Sequence, residues 1–128
     1  MNAVDMIGIE KRFANVVANA GVDLDILQGE VHALVGENGA GKTTLMKILF
    51  GLYQPDQGRI LLSGQPTVIG NPHVAIAHGI GMVHQHFMLV QSLTVAENIL
   101  LGIEPTWHKV ILDRDRARRT TRDLSARF

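Results

Sequence analysis

Between residues 22 and 26 apolar and acidic positions alternate, with Val22, Leu24 and Ile26 separated by Asp23 and Asp25. A period of two marks a strand with one wet face, and Gln28-Gly29 supplies the turn that ends it. The run VHALV (31–35) is short and mostly apolar, as a strand covered on both faces must be. A glycine-rich loop follows, and from Lys42 the apolar residues Leu45, Ile48, Leu49 and Leu52 recur at helical spacing. Strand, loop and helix are therefore expected in direct succession. Pro55-Asp56-Gln57-Gly58 carries turn chemistry, and RILLSG (59–64) reads as a strand ended by another turn. Asn71 is the expected N-cap and Pro72 the first residue of a short helix that Gly79 stops. IGMVH (80–84) reads as a buried strand. Thr94 to Glu97 has the capping-box pattern for a helix through Leu101, closed by Gly102, and Asp113 is the expected N-cap of a last helix reaching Phe128. No repeat or low-complexity tract interrupts the series, which reads as one continuous α/β unit.

The loop before the first predicted helix is Gly36-Glu37-Asn38-Gly39-Ala40-Gly41-Lys42-Thr43, which satisfies the P-loop pattern GxxxxGK[ST]. Its three glycines let the backbone turn N–H groups inward around a phosphate, a concavity that side chains would block. The helix N-terminus adds partial positive charge at the same point. Lys42 is expected to place its ammonium on the β- and γ-phosphates, and the Thr43 hydroxyl to ligate Mg2+. Thr44 is a further donor within reach of the phosphates.

Composition narrows the setting. A chain of 128 residues with 46% hydrophobic and 19% charged positions has the makeup of one soluble globular domain, which excludes collagen-like repeats and argues against disorder. The absence of cysteine removes disulfides and thiolate metal sites. Every apolar stretch is broken well short of the ~18 residues a bilayer span requires. The first residues carry Asp5 and Glu10 and no basic region, unlike a signal peptide, so a cytosolic address is expected. Net charge is zero but unevenly spread: residues 1–104 hold five Lys/Arg and nine Asp/Glu, and 105–128 hold seven and three. Arg114, Arg116, Arg118, Arg119 and Arg122 leave a polyanion partner open. The spacing favours a solvated helix instead, with Asp115 four before Arg119 and Arg119 four before Asp123.

The segment HALVGENGAGKTTLMKILFGLYQPDQGRI resembles the Walker A region of ATP-binding-cassette ATPases. GMVHQHFMLVQSLTVAENILLG is similar to the Q-loop and following helix of the sugar and nucleoside importer branch, and the likeness runs over essentially the whole chain. It implies an α/β fold: a P-loop NTPase (RecA-like) core with an N-terminal antiparallel β subdomain. Residues 1–128 would be a partial nucleotide-binding domain whose helical subdomain begins at about 105–128. It also implies ATP and Mg2+ as cofactors. Gly36, Glu37, Asn38, Gly39, Ala40, Gly41, Lys42, Thr43 and Thr44 would bind the phosphates. Phe13 matches the aromatic residue that stacks on adenine in such proteins, its alternative being a plain core residue. Gln85 matches the Q-loop glutamine that approaches Mg2+ and the attacking water, both as catalytic residue and as metal ligand. A neutral amide suits that task, because it accepts from water and ligates a hard cation without adding charge. His84 and His86 flank it, and with no further ligands in view they read as loop packing rather than zinc ligands.

Hydrolysis also needs a carboxylate at the end of a second buried strand and a base for water. Val110-Ile111-Leu112-Asp113 is the one candidate run, followed by Arg114-Asp115-Arg116 rather than by the Asp-Glu pair of the resembling families. Asp113 is better explained as an N-cap. The chain holds no LSGGQ-type signature, D-loop or switch histidine, and the economical expectation is truncation before the signature and Walker B region. An open sheet edge and uncovered apolar faces would follow. The leading expectation is an importer motor on the cytoplasmic face of the membrane. Its partners would be transmembrane permease subunits, a second cassette and a separate substrate-binding protein, with no nucleic acid. A soluble cassette ATPase linked to translation or DNA, and a nonhydrolytic nucleotide-binding remnant, are the alternatives.

Overall fold

A computed structural model describes residues 1–84, 89–102, 106–107 and 111–127. Its contacts group into two compact units, Met1–Val83 and His84–Phe128. The first holds β1 (Asn2–Phe13), β2 (Val16–Leu27), α1 (Lys42–Leu49), β3 (Gln57–Leu62), β4 (Gln65–Thr67) and α2 (Pro72–Ala77). The strands form one antiparallel sheet in the order β2-β1-β3-β4.

β2 carries the alternation expected of residues 22–26, with Val22, Leu24 and Ile26 on the more buried side. β1 is not legible as a strand in the sequence because a bulge breaks its period. Met6 pairs with Leu24 and Ile9 with Val22, so β1 spends one residue more than its partner, and Gly8 takes φ 61° there. Met6 and Ile9 are consequently three apart yet both buried, at 1% and 0% exposure. A second bulge, this time on β2, lies between the pairs Ile9–Val22 and Lys11–Asn19, with Gly21 at φ 62°. It turns Asn19 inward.

α1 lays Leu45, Ile48 and Leu49 on the sheet against Met6, Ile9, Ile60, Ile69 and Ala75, which together make the buried cluster. Each leucine, isoleucine and methionine among them contributes roughly 1.5 to 3 kcal/mol by leaving water. The helix ends sooner than its apolar spacing suggests: Phe50 is the C-cap, Gly51 has φ 79°, and Leu52 is exposed. The residues read as a turn are divided, since Gln57 and Gly58 already belong to β3. Asp56 closes the approach, accepting from Lys11 Nζ at 2.8 Å and from the Arg12 N–H at 2.7 Å. Those two bonds, the lysine's first, hold its carboxyl below the ordinary range. Ser63 and Gly64 join β3 to β4 with φ 49° and 79°, the left-handed pair a tight hairpin requires. α2 forms as expected, with Asn71 Oδ1 accepting from the Val74 N–H at 3.1 Å.

Two expected strands do not form. Residues 31–35 and 80–84 join no ladder among the described residues, and Val31, Val35 and Val83 stand exposed. A strand is defined by its partner. Apolar runs of this kind need neighbours on both sides and cover on both faces, and no described strand supplies them.

In the second unit, α3 (Val95–Ile99), β5 (Thr106–Trp107), β6 (Ile111–Leu112) and α4 (Arg114–Ser125) follow in order, with β5 and β6 antiparallel. The capping box is present: the Thr94 hydroxyl accepts from the Glu97 N–H, and Glu97 accepts from the Thr94 N–H at 2.8 Å. The bonds from Thr94 lower the Glu97 pKa. α3 ends at Ile99 rather than Leu101, and α4 at Ser125 rather than Phe128. Asp113 caps α4 by accepting from the Arg116 N–H at 2.9 Å. The expected pairs Asp115–Arg119 and Arg119–Asp123 do not close among the described residues, and Arg114 instead reaches Glu97 at 3.8 Å. No described helix is long and apolar enough to cross a membrane.

Gly58 lies where β3 passes the β1 bulge, at φ 95°, and a Cβ there would stand 2.5 Å from the Gly8 carbonyl oxygen. Gly58→Ala is therefore expected to lower stability by at least ~1 to 3 kcal/mol, the cost of the backbone conformation alone. Gly70→Ala, with nothing within 4 Å of its Cβ position, should stay within about 0.5 kcal/mol of wild type. Urea unfolding of both variants checks the contrast.

Candidate phosphate-binding site

The helix α1 begins without a side-chain cap. Its N-cap is Gly41 at φ 84°, and no acidic residue occupies its first turn. The first N–H groups of a helix have no intrahelical acceptor, so an end of this kind is open to an anion. The loop before it turns tightly, with the Ala40 N–H donating to the Glu37 carbonyl at 3.2 Å and Gly39 at φ 88°. Lys42 folds back over this turn and donates from Nζ to the carbonyls of Gly36 at 2.6 Å and Glu37 at 2.7 Å. The ammonium thus sits on the loop that leads into the uncapped helix. Asn38 and Ala40 are exposed, Thr43 is exposed in the first turn, and Thr44 is half-buried beside it.

Strand β2 seats the start of α1. A Cβ on Gly41 would stand 2.1 Å from the Ala18 carbonyl oxygen and 2.9 Å from Asn19 Nδ2, so only glycine fits between the strand and the helix. The Gly41 carbonyl accepts the first helical bond from the Leu45 N–H at 2.9 Å and a longer one from Asn19 Nδ2 at 3.4 Å. Asn19 is buried, and its Oδ1 has no partner among the described residues. A buried oxygen left unpaired costs about 1 to 3 kcal/mol. What the amide supplies against that cost is its contact with Gly41. Sequence reasoning missed Asn19, because alternation carried back from Val22 places it outward; Gly21, where the bulge reverses the phase, was the available signal.

Phe13 ends β1 and lies outside the buried cluster, at 39% exposure. Its ring meets Tyr53 edge-on, with centroids 5.1 Å apart and planes at 68°. Tyr53, also unforeseen, packs partly against the core. Gln85 and His86 lie outside the described residues, and the described residues hold no group of three His, Cys, Asp or Glu placed for a metal. Asp113 follows a short antiparallel strand and its carboxylate is used as a cap.

The donor set fits a polyphosphate: helix N–H groups, one ammonium and two hydroxyls, with no carboxylate in the first turn of α1. For Mg2+ the exposed Thr43 hydroxyl in the first turn of α1 is a hard oxygen of a suitable kind.

Comparison with known proteins agrees with this geometry. The family model described as ABC transporter matches residues 20–127. The guanosine import ATP-binding protein NupO of Bacillus subtilis is 53% identical over 125 residues, which are 98% of this chain and 24% of that protein. The ribose import ATP-binding protein RbsA 1 of Burkholderia thailandensis is 50% identical over 121 residues, 94% of this chain and 24% of that one. The chain thus spans about a quarter of the length of these relatives. Among solved structures, a nucleotide-free ATP-binding cassette from an ABC transporter superposes with a TM-score of 0.73 at 29% identity, covering 80% of this chain and 40% of that one.

Lys42→Ala removes the ammonium from the loop. Charge-assisted hydrogen bonds contribute about 1.5 to 3 kcal/mol each, so affinity for a triphosphate should fall by at least about tenfold. Isothermal titration with ATP reads this, and unchanged affinity would remove Lys42 from the site.

Proposed function

The chain belongs to the ABC transporter family, and from that membership we propose that it is the ATP-binding part of an importer, coupling ATP binding and hydrolysis to uptake of a sugar or nucleoside. The observation that carries the reading is the P-loop geometry, an uncapped helix with Lys42 folded over its entry, in a chain half identical to guanosine and ribose import proteins. In the proposed site the N–H groups of 36–44 (Gly36, Glu37, Asn38, Gly39, Ala40, Gly41, Lys42, Thr43 and Thr44) surround the β- and γ-phosphates. Lys42 exchanges loop carbonyls for phosphate oxygens, and Phe13 stacks on the base. Mg2+ would supply charge neutralisation to the phosphates during transfer. Thr43 and Gln85 are the residues that would hold it, and Gln85 would also position water.

The partners proposed are transmembrane permease subunits, a second cassette and a separate substrate-binding protein, which selects the cargo; nucleic acid is not among them. The site of action is the cytoplasmic face of the membrane, with peripheral attachment. Residues 1–128 form part of one cassette, with its helical subdomain beginning at about 105.

Two outcomes test this assignment. In the complete protein, Gln85→Ala should spare nucleotide binding and lower turnover, and should lower the stimulation of turnover by permease subunits still more. Equal loss of binding and turnover would contradict that division. The 128-residue chain alone should bind MgATP weakly and hydrolyse it no faster than background, because positioning and charge stabilisation supply most of phosphoryl-transfer catalysis and its residues include no Asp-Glu pair or signature loop. Phosphate release that disappears in Lys42→Ala would mean that the chain carries its own catalytic carboxylate.

A further inference from the structure

Phe13 stands in a row of four side chains. Lys11 Nζ lies over the Phe13 ring, 5.5 Å from its centroid, and Lys47 Nζ lies over the Tyr53 ring at 5.4 Å. Between them the two rings meet edge-on at 5.1 Å. One end of the row is tethered, because Lys11 is held by Asp56 at 2.8 Å and Asp56 also accepts from the Arg12 N–H at 2.7 Å. The other end is α1 itself, the helix that opens on the phosphate loop, since Lys47 belongs to its last turn.

We propose that Tyr53 is a positioning residue for nucleobase binding: it fixes the Phe13 ring, which Lys11 also approaches and which keeps 39% of its surface exposed to receive a base. This rests on the reading of Phe13 as the base-stacking residue. An aromatic side chain at a strand end has rotamer freedom to lose when a ligand stacks on it, and a ring already braced loses less. The edge-on contact supplies the brace, since aromatic pairs favour that arrangement beyond the area they bury. Lys11 contributes a cation held against the ring, the arrangement an aromatic quadrupole favours. Because the row ends on α1, the base and the phosphates are referred to one rigid element. Tyr53 also packs partly against the core, so the alternative is a side chain that fills space and nothing more.

Affinity for ATP and for inorganic tripolyphosphate, both with Mg2+, separates the two roles. The titrations use wild type, Tyr53→Leu, Tyr53→Met, Tyr53→Phe and Phe13→Ala, with each value corrected to the folded fraction. Tyr53→Leu and Tyr53→Met keep most of the volume without the ring, so either one that folds carries the test. Each should weaken ATP binding about two- to tenfold and leave tripolyphosphate unchanged. Tyr53→Phe keeps the ring and should match wild type. Phe13→Ala should narrow the gap between the two ligands at least as much. Equal losses for both ligands at Tyr53, or no loss while Phe13→Ala still narrows the gap, overturns the role given to Tyr53. An unchanged gap in Phe13→Ala overturns the base-stacking reading, and this inference with it.

Discussion

The contact on which the site depends is the one between β2 and Gly41. The strand passes so close to the start of α1 that a single methyl group on Gly41 would overlap the Ala18 carbonyl oxygen. Glycine at this position answers two demands together, the close approach and the left-handed φ of 84°. With Gly41 seated, the next residue, Lys42, folds over the loop from the first turn of the helix. The antiparallel sheet therefore does more than cover α1 with apolar surface. It sets where the glycine-rich loop ends and the helix begins.

Irregularities in the β1–β2 pairing make that contact geometrically available. The β1 bulge at Gly8 brings Met6 and Ile9 onto one face, where α1 buries Leu45, Ile48 and Leu49 against them. The β2 bulge at Gly21 turns Asn19 toward Gly41. β3 follows the first bulge with a glycine of its own, Gly58, whose neighbour is the Gly8 carbonyl. Packing of α1 on the sheet supplies the apolar burial that holds this arrangement together, while the glycines supply the backbone geometry that apolar burial alone does not specify.

What was legible in the sequence follows from how local each feature is. The caps at Asn71, Thr94 and Asp113 were readable because a cap involves residues three apart in one segment. The glycine-rich turn and the helix it opens were readable for the same reason. β1 was not, since a bulge destroys the period on which a strand is recognised. The runs 31–35 and 80–84 have strand composition but join no ladder among the described residues, and pairing is not a property a single run can declare. Asn19 and Tyr53 were invisible because their roles arise only when distant segments meet: Asn19 at Gly41, twenty-two residues on, and Tyr53 at Phe13. The expected ion pairs along α4 gave way to a contact with Glu97, as weak solvent-exposed pairs readily do.

Titrating inorganic tripolyphosphate into isotope-labelled chain, with each backbone amide followed by NMR, tests most directly whether β2 and the phosphate loop act as one site. The amides of 36–45 should shift together with those of Ala18 and Asn19, all along a single binding curve, since the strand and the helix start touch at Gly41. Shifts in the loop with none at Ala18 and Asn19 would separate the sheet from the site. No shift in the loop at all would contradict the assignment of phosphate binding to it.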